Sequence, residues 1–130
     1  MHALIFDGGQ SGGQENLPGI LSWIADLPRH RLLLDVGSEL VFFQGHFPDN
    51  PILPGITQLH WAVAAAMRLF EFSEVPCEVK RLKFMHIIRP SSILELLLER
   101  KKINEVEFQF SSSGQIHSTA CLTFKVDIPC

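Results

Sequence analysis

The chain has 130 residues, enough for one domain with its own core and too few for two domains joined by a linker. With 46% hydrophobic and 19% charged residues it is too apolar to be disordered, and a formal charge of −3 gives no electrostatic basis for binding nucleic acid. Cys77, Cys121 and Cys130 stand far apart with no Cys-x-x-Cys pair, so neither a zinc site nor a redox dithiol is expected and a reducing cytoplasm fits them.

Residues 1–16 read as a flexible lead-in, mostly Gly, Gln and Ser from residue 7 to residue 15, with a single domain expected over 17–130. The first residues lack a basic stretch followed by an apolar core, so no signal peptide is expected, and no apolar run is long enough for a membrane span. Pro18, Ile20, Leu21, Trp23, Ile24 and Leu27 have helical spacing that stops at Pro28, which predicts a short amphipathic helix lying as a lid on the core. Residues 31–36 and 40–44 are rich in Leu, Val and Phe, and Gly37-Ser38-Glu39 between them has the chemistry of a hairpin turn.

A long helix is expected over 55–72, with Ile56, Leu59, Val63, Met67 and Phe70 on one face. Trp61, Ala62, Ala65 and Leu69 leave little polar surface on the other side, so the helix should be buried. Residues 76–84 read as a strand in which Val79, Arg81 and Lys83 alternate with Lys80, Leu82 and Phe84, and residues 93–99 read as another. After a turn at Asn104, Val106, Phe108 and Phe110 form the inward side of a half-buried strand; Ser113-Gly114 makes a hairpin turn. The closing strand sets Ile116, Ser118, Ala120, Leu122, Phe124 and Val126 against His117, Thr119, Cys121, Thr123 and Lys125. Strands and helices do not alternate regularly, which disfavours a doubly wound parallel sheet and predicts an α+β fold, an antiparallel sheet wrapped around one long central helix.

The segment Gly45-His46-Phe47-Pro48-Asp49-Asn50-Pro51-Ile52-Leu53-Pro54-Gly55 runs into that helix, which carries His60 near its start. Imidazole titrates near neutral pH and so can take and return a proton without a large energetic penalty. The first amides of a helix have no acceptor within it and lie at the positive end of its dipole, where they can stabilise developing negative charge. Each residue also has a bland reading. His46 can be a turn histidine bonded to nearby backbone, and His60, sharing a helix face with Ile56, Val63 and Met67, can be a satisfied core histidine. Asp49 is explained equally well by loop solvation, and His2, His30, His86 and His117 default to structural or exposed roles. Lys80, Arg81, Lys83 and Arg89 form a basic cluster that is either a solvated face or a positive surface for an acidic partner.

Gly45-His46-Phe47-Pro48, Pro51-Ile52-Leu53-Pro54-Gly55 and the following apolar helix resemble the hotdog-fold 3-hydroxyacyl-[acyl carrier protein] dehydratases of the fatty-acid type. Arg81-Leu82-Lys83-Phe84 followed by Arg89-Pro90 resembles the family's next strand and turn. The resemblance covers roughly residues 27–126. It implies a hotdog domain, with His46 removing the proton beside the thioester carbonyl and the Gly55 N–H, nine residues later, holding the thioester oxygen. Pro54 supplies no N–H and fixes the chain direction there, and Gly55 permits close approach for want of a Cβ. Phe47, Pro54 and Ile56 would line the substrate.

Fourteen residues after His46 the family usually has Glu or Asp, which helps the β-hydroxyl leave as water, whereas this chain has His60. Protonated, that imidazole can donate to the hydroxyl; neutral, it can bind the hydroxyl or orient a water. Gln58-Leu59-His60-Trp61 is similar to the aryl-polyene-pathway branch of the family. The implied reaction is loss of water from a 3-hydroxyacyl thioester to give a 2-enoyl thioester. The implied substrate is carried on the phosphopantetheine of an acyl carrier protein, no metal or redox cofactor takes part, and Arg81 and Arg89 are the candidate carrier contacts. The family's geometry implies at least a homodimer, or a heterodimer with another hotdog protein, in which His46 of one subunit meets His60 of the other. Two alternatives keep the fold: an acyl-thioesterase, or a non-catalytic subunit that completes a heterodimer.

Overall fold

The computed structural model describes residues 17–37, 52–90 and 92–126. The elements are β1 (Gly19–Asp26), β2 (Arg29–Val36), α1 (Gly55–Leu69), β3 (Glu78–Phe84), β4 (Ser92–Lys102), β5 (Glu105–Ser112) and β6 (Gln115–Thr123). All strands belong to one antiparallel sheet in the order β1-β2-β4-β5-β6-β3, with α1 against one face. The period of two places Leu32, Leu34 and Val36 of β2 on that face, with Leu94, Leu96 and Leu98 of β4, Val106, Phe108 and Phe110 of β5, and Ala120 and Leu122 of β6. Trp61, Ala62, Ala65 and Ala66 of α1 close the core from the other side. Small alanines let the helix backbone approach the sheet closely, while Trp61 fills the remaining volume. No helix among the described residues is long and apolar enough to cross a membrane.

The stretch expected to be a lid helix is the edge strand β1. Its partners run from Gly19↔Asp35 to Asp26↔Arg29, and Leu27 and Pro28 form the two-residue turn into β2 rather than a helix stop. The helical spacing was misleading because the residues that create it are not a buried stripe: Leu21, Ile24 and Leu27 are exposed, as an edge strand with little covering it permits. β2 begins at Arg29 and continues through the expected 31–36. The second strand of the expected hairpin, residues 40–44, lies outside the described residues.

The helix is central, as expected, and it buries one side. Thr57, Gln58, Trp61, Ala62, Ala65 and Ala66 face the sheet, while Ile56 is 60% exposed and His60 is exposed. Ile56 and His60 therefore turn away from the protomer's own core, while Val63 and Met67, half-buried, pack at its edge. In β3 the expected alternation is interrupted. Lys80 pairs with Cys121 and Lys83 with Thr119, so β3 spends one extra residue, and Arg81 takes φ +53 within this bulge. The β5–β6 turn has positive φ at both Ser113 (+50) and Gly114 (+77), the conformation whose twist suits a two-residue hairpin.

Candidate active site

The start of α1 is built by the chain before it. Pro54, at φ −60 and ψ 147, caps the helix with its carbonyl, which accepts the Thr57 N–H at 3.1 Å and the Gln58 N–H at 3.2 Å. Gly55 and Ile56 supply the first two helix amides, which by geometry have no acceptor inside the helix. No side chain caps this end and its first turn contains no acid, so the positive end of the helix dipole is not neutralised by its own residues. One residue earlier, the Leu53 N–H donates to the Ile88 carbonyl at 2.8 Å, which ties the approach to the segment after β3.

Gly55 is in a tight place. A Cβ built there would lie 2.8 Å from Phe84 Cζ and 2.9 Å from Cε1, so the absence of a side chain lets the Phe84 ring lie against the helix start. That ring is 51% exposed, forming part of the surface beside the two amides. His60 stands five residues further along α1, about 7.5 Å up the axis at 1.5 Å per residue, on the exposed side with Ile56. Its exposure removes the core-histidine alternative.

A buried polar bridge lies just beneath. The Gln58 side chain donates through Nε2 to the Leu53 carbonyl at 3.3 Å and accepts the Ser118 hydroxyl on Oε1 at 2.7 Å. Sequence reasoning met Phe84 only inside Arg81-Leu82-Lys83-Phe84, Ser118 only on one face of the closing strand and Gln58 only inside the Gln58-Leu59-His60-Trp61 signature, and gave none of them a role in the site. The available signal was Gln58 itself, a long polar side chain on the helix side otherwise made of Thr57, Trp61 and alanines.

The other predicted residues fall as follows. Gly55, Ile56 and His60 lie within the first two turns of α1 and Pro54 caps it, whereas His46 and Phe47 lie outside the described residues. Arg81 projects toward Glu107 at 3.7 Å. It borders a hollow of about 230 Å³ together with Lys83, Glu99, Thr119 and Cys121. The carboxylates there offset the cationic groups, so this hollow is of mixed charge. Arg89 is exposed in the segment between β3 and β4, and its carbonyl accepts the Ser92 hydroxyl at 2.6 Å. Burial pushes the Cys121 thiol up, reinforced by Glu105 and opposed by Arg81, which makes it a poor nucleophile.

The remaining described histidines are structural. His117 Nδ1 donates to the His86 carbonyl at 3.1 Å, and its Nε2 is hydrogen-bonded to the Ser112 hydroxyl at 2.6 Å. His86 Nδ1 in turn donates to the Ile116 carbonyl at 3.0 Å, so the pair clamps the end of β3 to the β5–β6 hairpin. His30 is buried against the Phe70 ring and accepts the Trp23 indole N–H on Nδ1 at 3.1 Å. Among the described residues, no group of three or more His, Cys, Asp or Glu is placed to hold a metal ion.

Comparison with known proteins shows the family. The 3-hydroxyacyl-[acyl-carrier-protein] dehydratase FabZ of Levilactobacillus brevis is 34% identical over 92 residues, 65% of this chain and 58% of that protein. FabZ of Lactiplantibacillus plantarum is 33% identical over 96 residues, 65% of each. The chain thus spans less than two thirds of the length of these relatives. Among solved structures, the dehydratase heterocomplex ApeI:P from Xenorhabdus doucetiae superposes with a TM-score of 0.75 over 82% of this chain and 96% of that one, at 23% identity, and gives the hotdog fold. The family model of the ApeI-like dehydratases, described as ApeI dehydratase, matches residues 24–121. The chain therefore belongs to the ApeI-like dehydratase family, in the aryl polyene branch of the hotdog-fold dehydratases.

Proposed function

We propose that this protein removes water from a 3-hydroxyacyl thioester, borne by the phosphopantetheine of an acyl carrier protein, in the building of an aryl polyene or a fatty-acid-like chain. The observation that carries this reading is the start of α1: a helix end at Gly55 with no side-chain cap, lying against the half-exposed Phe84 ring, with His60 on the exposed side of the same helix. His46 takes the proton from the carbon beside the thioester carbonyl. As the C–H electrons move into the new double bond, negative charge gathers on the thioester oxygen, where the Gly55 N–H receives it. The β-hydroxyl departs with a proton as water, assisted by His60. Phe47, Pro54 and Ile56 border the acyl group, and Arg81 and Arg89 meet the carrier protein. No metal or redox group takes part, and the work is done in the cytoplasm.

The site is completed by a second hotdog chain. β3 pairs only with β6 among the described strands, leaving its other edge unpaired, and Val79, Leu82, Phe84, Met85 and Ile87 on or just after it are exposed. An unpaired apolar edge of this kind favours strand-to-strand association. Continuity with the exposed Ile56 brings a second chain docked on this edge within reach of His60 on α1. His46 of one subunit would then act with His60 of the other.

The test is incubation of the purified protein with a 3-hydroxyacyl thioester. Enoyl absorbance without thiol release supports dehydration; free thiol without enoyl selects hydrolysis. A second reading, a subunit needing a different hotdog partner, is favoured by the heterocomplex formed by the ApeI:P neighbour and by the histidine at position 60. Activity that appears only when a second hotdog chain is added selects it.

A further inference from the structure

Gln58 and Ser118 are polar side chains almost wholly buried, at 3% and 0% exposure, at the base of the helix start rather than at its surface. A buried polar group away from water costs free energy unless its bonds are met, so a bridge of this kind persists where every partner is satisfied. Here the assignment of the amide is fixed by its neighbours. The Leu53 carbonyl only accepts, so it must face Nε2, which leaves Oε1 for the Ser118 hydroxyl.

The bridge has a particular address. Leu53 is held at both ends, its N–H by the Ile88 carbonyl and its carbonyl by Gln58. Its carbonyl belongs to the peptide unit that enters Pro54, and the next peptide unit carries the Gly55 N–H. Ser118, at the far end, is the β6 residue paired with Phe84, whose ring lies on Gly55. The Gly55 peptide is therefore held from two sides by groups that converge on one position of the sheet. Apolar packing alone would leave the rotation of α1 about its axis to Trp61 and the alanines, which lie further along the helix.

We propose that Gln58 is a positioning residue for the Gly55 amide, acting through the Leu53 carbonyl and Ser118. This rests on the reading of Gly55 as the oxyanion donor. Removing the bridge loosens the donor without removing it. The loss is felt where charge develops, in kcat, and hardly in the ground-state affinity for the thioester.

The experiment compares full-length wild type with Gln58→Met, Ser118→Ala and Gln58→Glu by steady-state kinetics with a 3-hydroxyacyl pantetheine thioester and by the Gly55 backbone amide signal in NMR without substrate. For Gln58→Met the expected result is a kcat lower by roughly 10- to 100-fold with KM within about 3-fold. The Gly55 order parameter should fall from about 0.85 toward the mobile range below about 0.6. Ser118→Ala, which cuts only the far contact, should show the same pattern at smaller size. In Gln58→Glu the introduced carboxyl, when protonated, can donate to the Leu53 carbonyl as the amide does, so the ratio of Gln58→Glu to wild-type kcat should rise as pH falls.

Unchanged kcat and an unchanged Gly55 signal in folded Gln58→Met overturn the proposal. If Gln58→Met does not fold, Ser118→Ala and the pH ratio of Gln58→Glu decide in its place, and wild-type behaviour in both overturns it. A wild type that yields no enoyl product, alone or with a second hotdog chain, while the Gly55 signal still responds to Gln58→Met retains the positioning role and sinks the dehydratase reading instead.

Discussion

Replacing Gly55 by Ala and by Pro separates the amide of this residue from the space around it. Both variants place a Cβ where the Phe84 ring now lies, 2.8 Å from Cζ, so both must move that ring. The ring can turn outward because half of it is exposed already. Burying a whole Phe side chain is worth about 1.5–3 kcal/mol, so losing the remaining half costs on the order of 1 kcal/mol. Relief of glycine's backbone freedom returns about 0.5–1 kcal/mol, so the net change in stability should stay within about 1 kcal/mol. Proline adds little to this. It is well accommodated at the first position of a helix, its missing N–H would have had no helix acceptor, and Pro54 already has the extended ψ of 147 that a following proline requires. The two variants therefore share a shape and differ in one N–H. Loss of one oxyanion donor commonly costs about 2.7–4 kcal/mol in the transition state. The kcat of Gly55→Pro should accordingly lie roughly 10²- to 10³-fold below that of Gly55→Ala. Enoyl absorbance gives the rates and thermal unfolding confirms comparable stability. Equal kcat in two folded variants would refute the assignment of the Gly55 amide.

His60→Leu should lower kcat by at least roughly 10²-fold, the usual worth of a general acid or base, while the melting temperature hardly moves because the ring is exposed. Arg89→Glu should raise KM for a carrier-bound substrate and leave KM for a pantetheine thioester unchanged, the first effect shrinking as salt is added. Burial holds the His30 pKa below its ordinary value of 6.5. The unfolded chain then binds the proton more readily than the folded one. Stability should be greatest above about pH 6.5 and fall as pH drops through 6.5 toward the lowered folded value, a slope that urea titration should find flattened in His30→Phe. At Gly114 a Cβ meets nothing within 4 Å, so Gly114→Ala should cost only the strain of its φ of +77, about 1–2 kcal/mol, visible as a lower melting temperature.

What the sequence made legible follows from how local each signal is. β5 was readable because Val106, Phe108 and Phe110 alternate with polar residues and bury one side, which is a property of the strand alone. The antiparallel arrangement around a helix was readable for the same reason, from successive strands with turn residues between them. The first element was misread because an edge strand need not alternate cleanly. Its exposed Leu21, Ile24 and Leu27 fall at helical intervals without forming a helix face, and only the pairing with β2 decides the matter. The bulge at Arg81 left no mark in the alternation of its neighbours, because a positive φ at a non-glycine residue is imposed by pairing with β6.

The candidate site divides in the same way. Gly55 after Pro54 announces a helix start by its residue types. His60 was visible as a departure from the family's usual carboxylate, yet its exposure depends on which side of α1 meets the sheet. An apolar helix hides that choice, since the exposed Ile56 looked as suited to the core as Trp61, Ala62 and Ala65. The Gln58–Ser118 bridge joins residues sixty positions apart and no local pattern encodes it.

The most direct test of the central claim is the rate of enoyl formation from a 3-hydroxyacyl thioester by His46→Ala beside wild type, each also assayed with any hotdog partner that wild type requires. The account predicts that wild type forms the enoyl thioester and that the variant loses roughly 10²- to 10⁴-fold in kcat while keeping its fold. Enoyl formation at an unchanged rate in folded His46→Ala would contradict it.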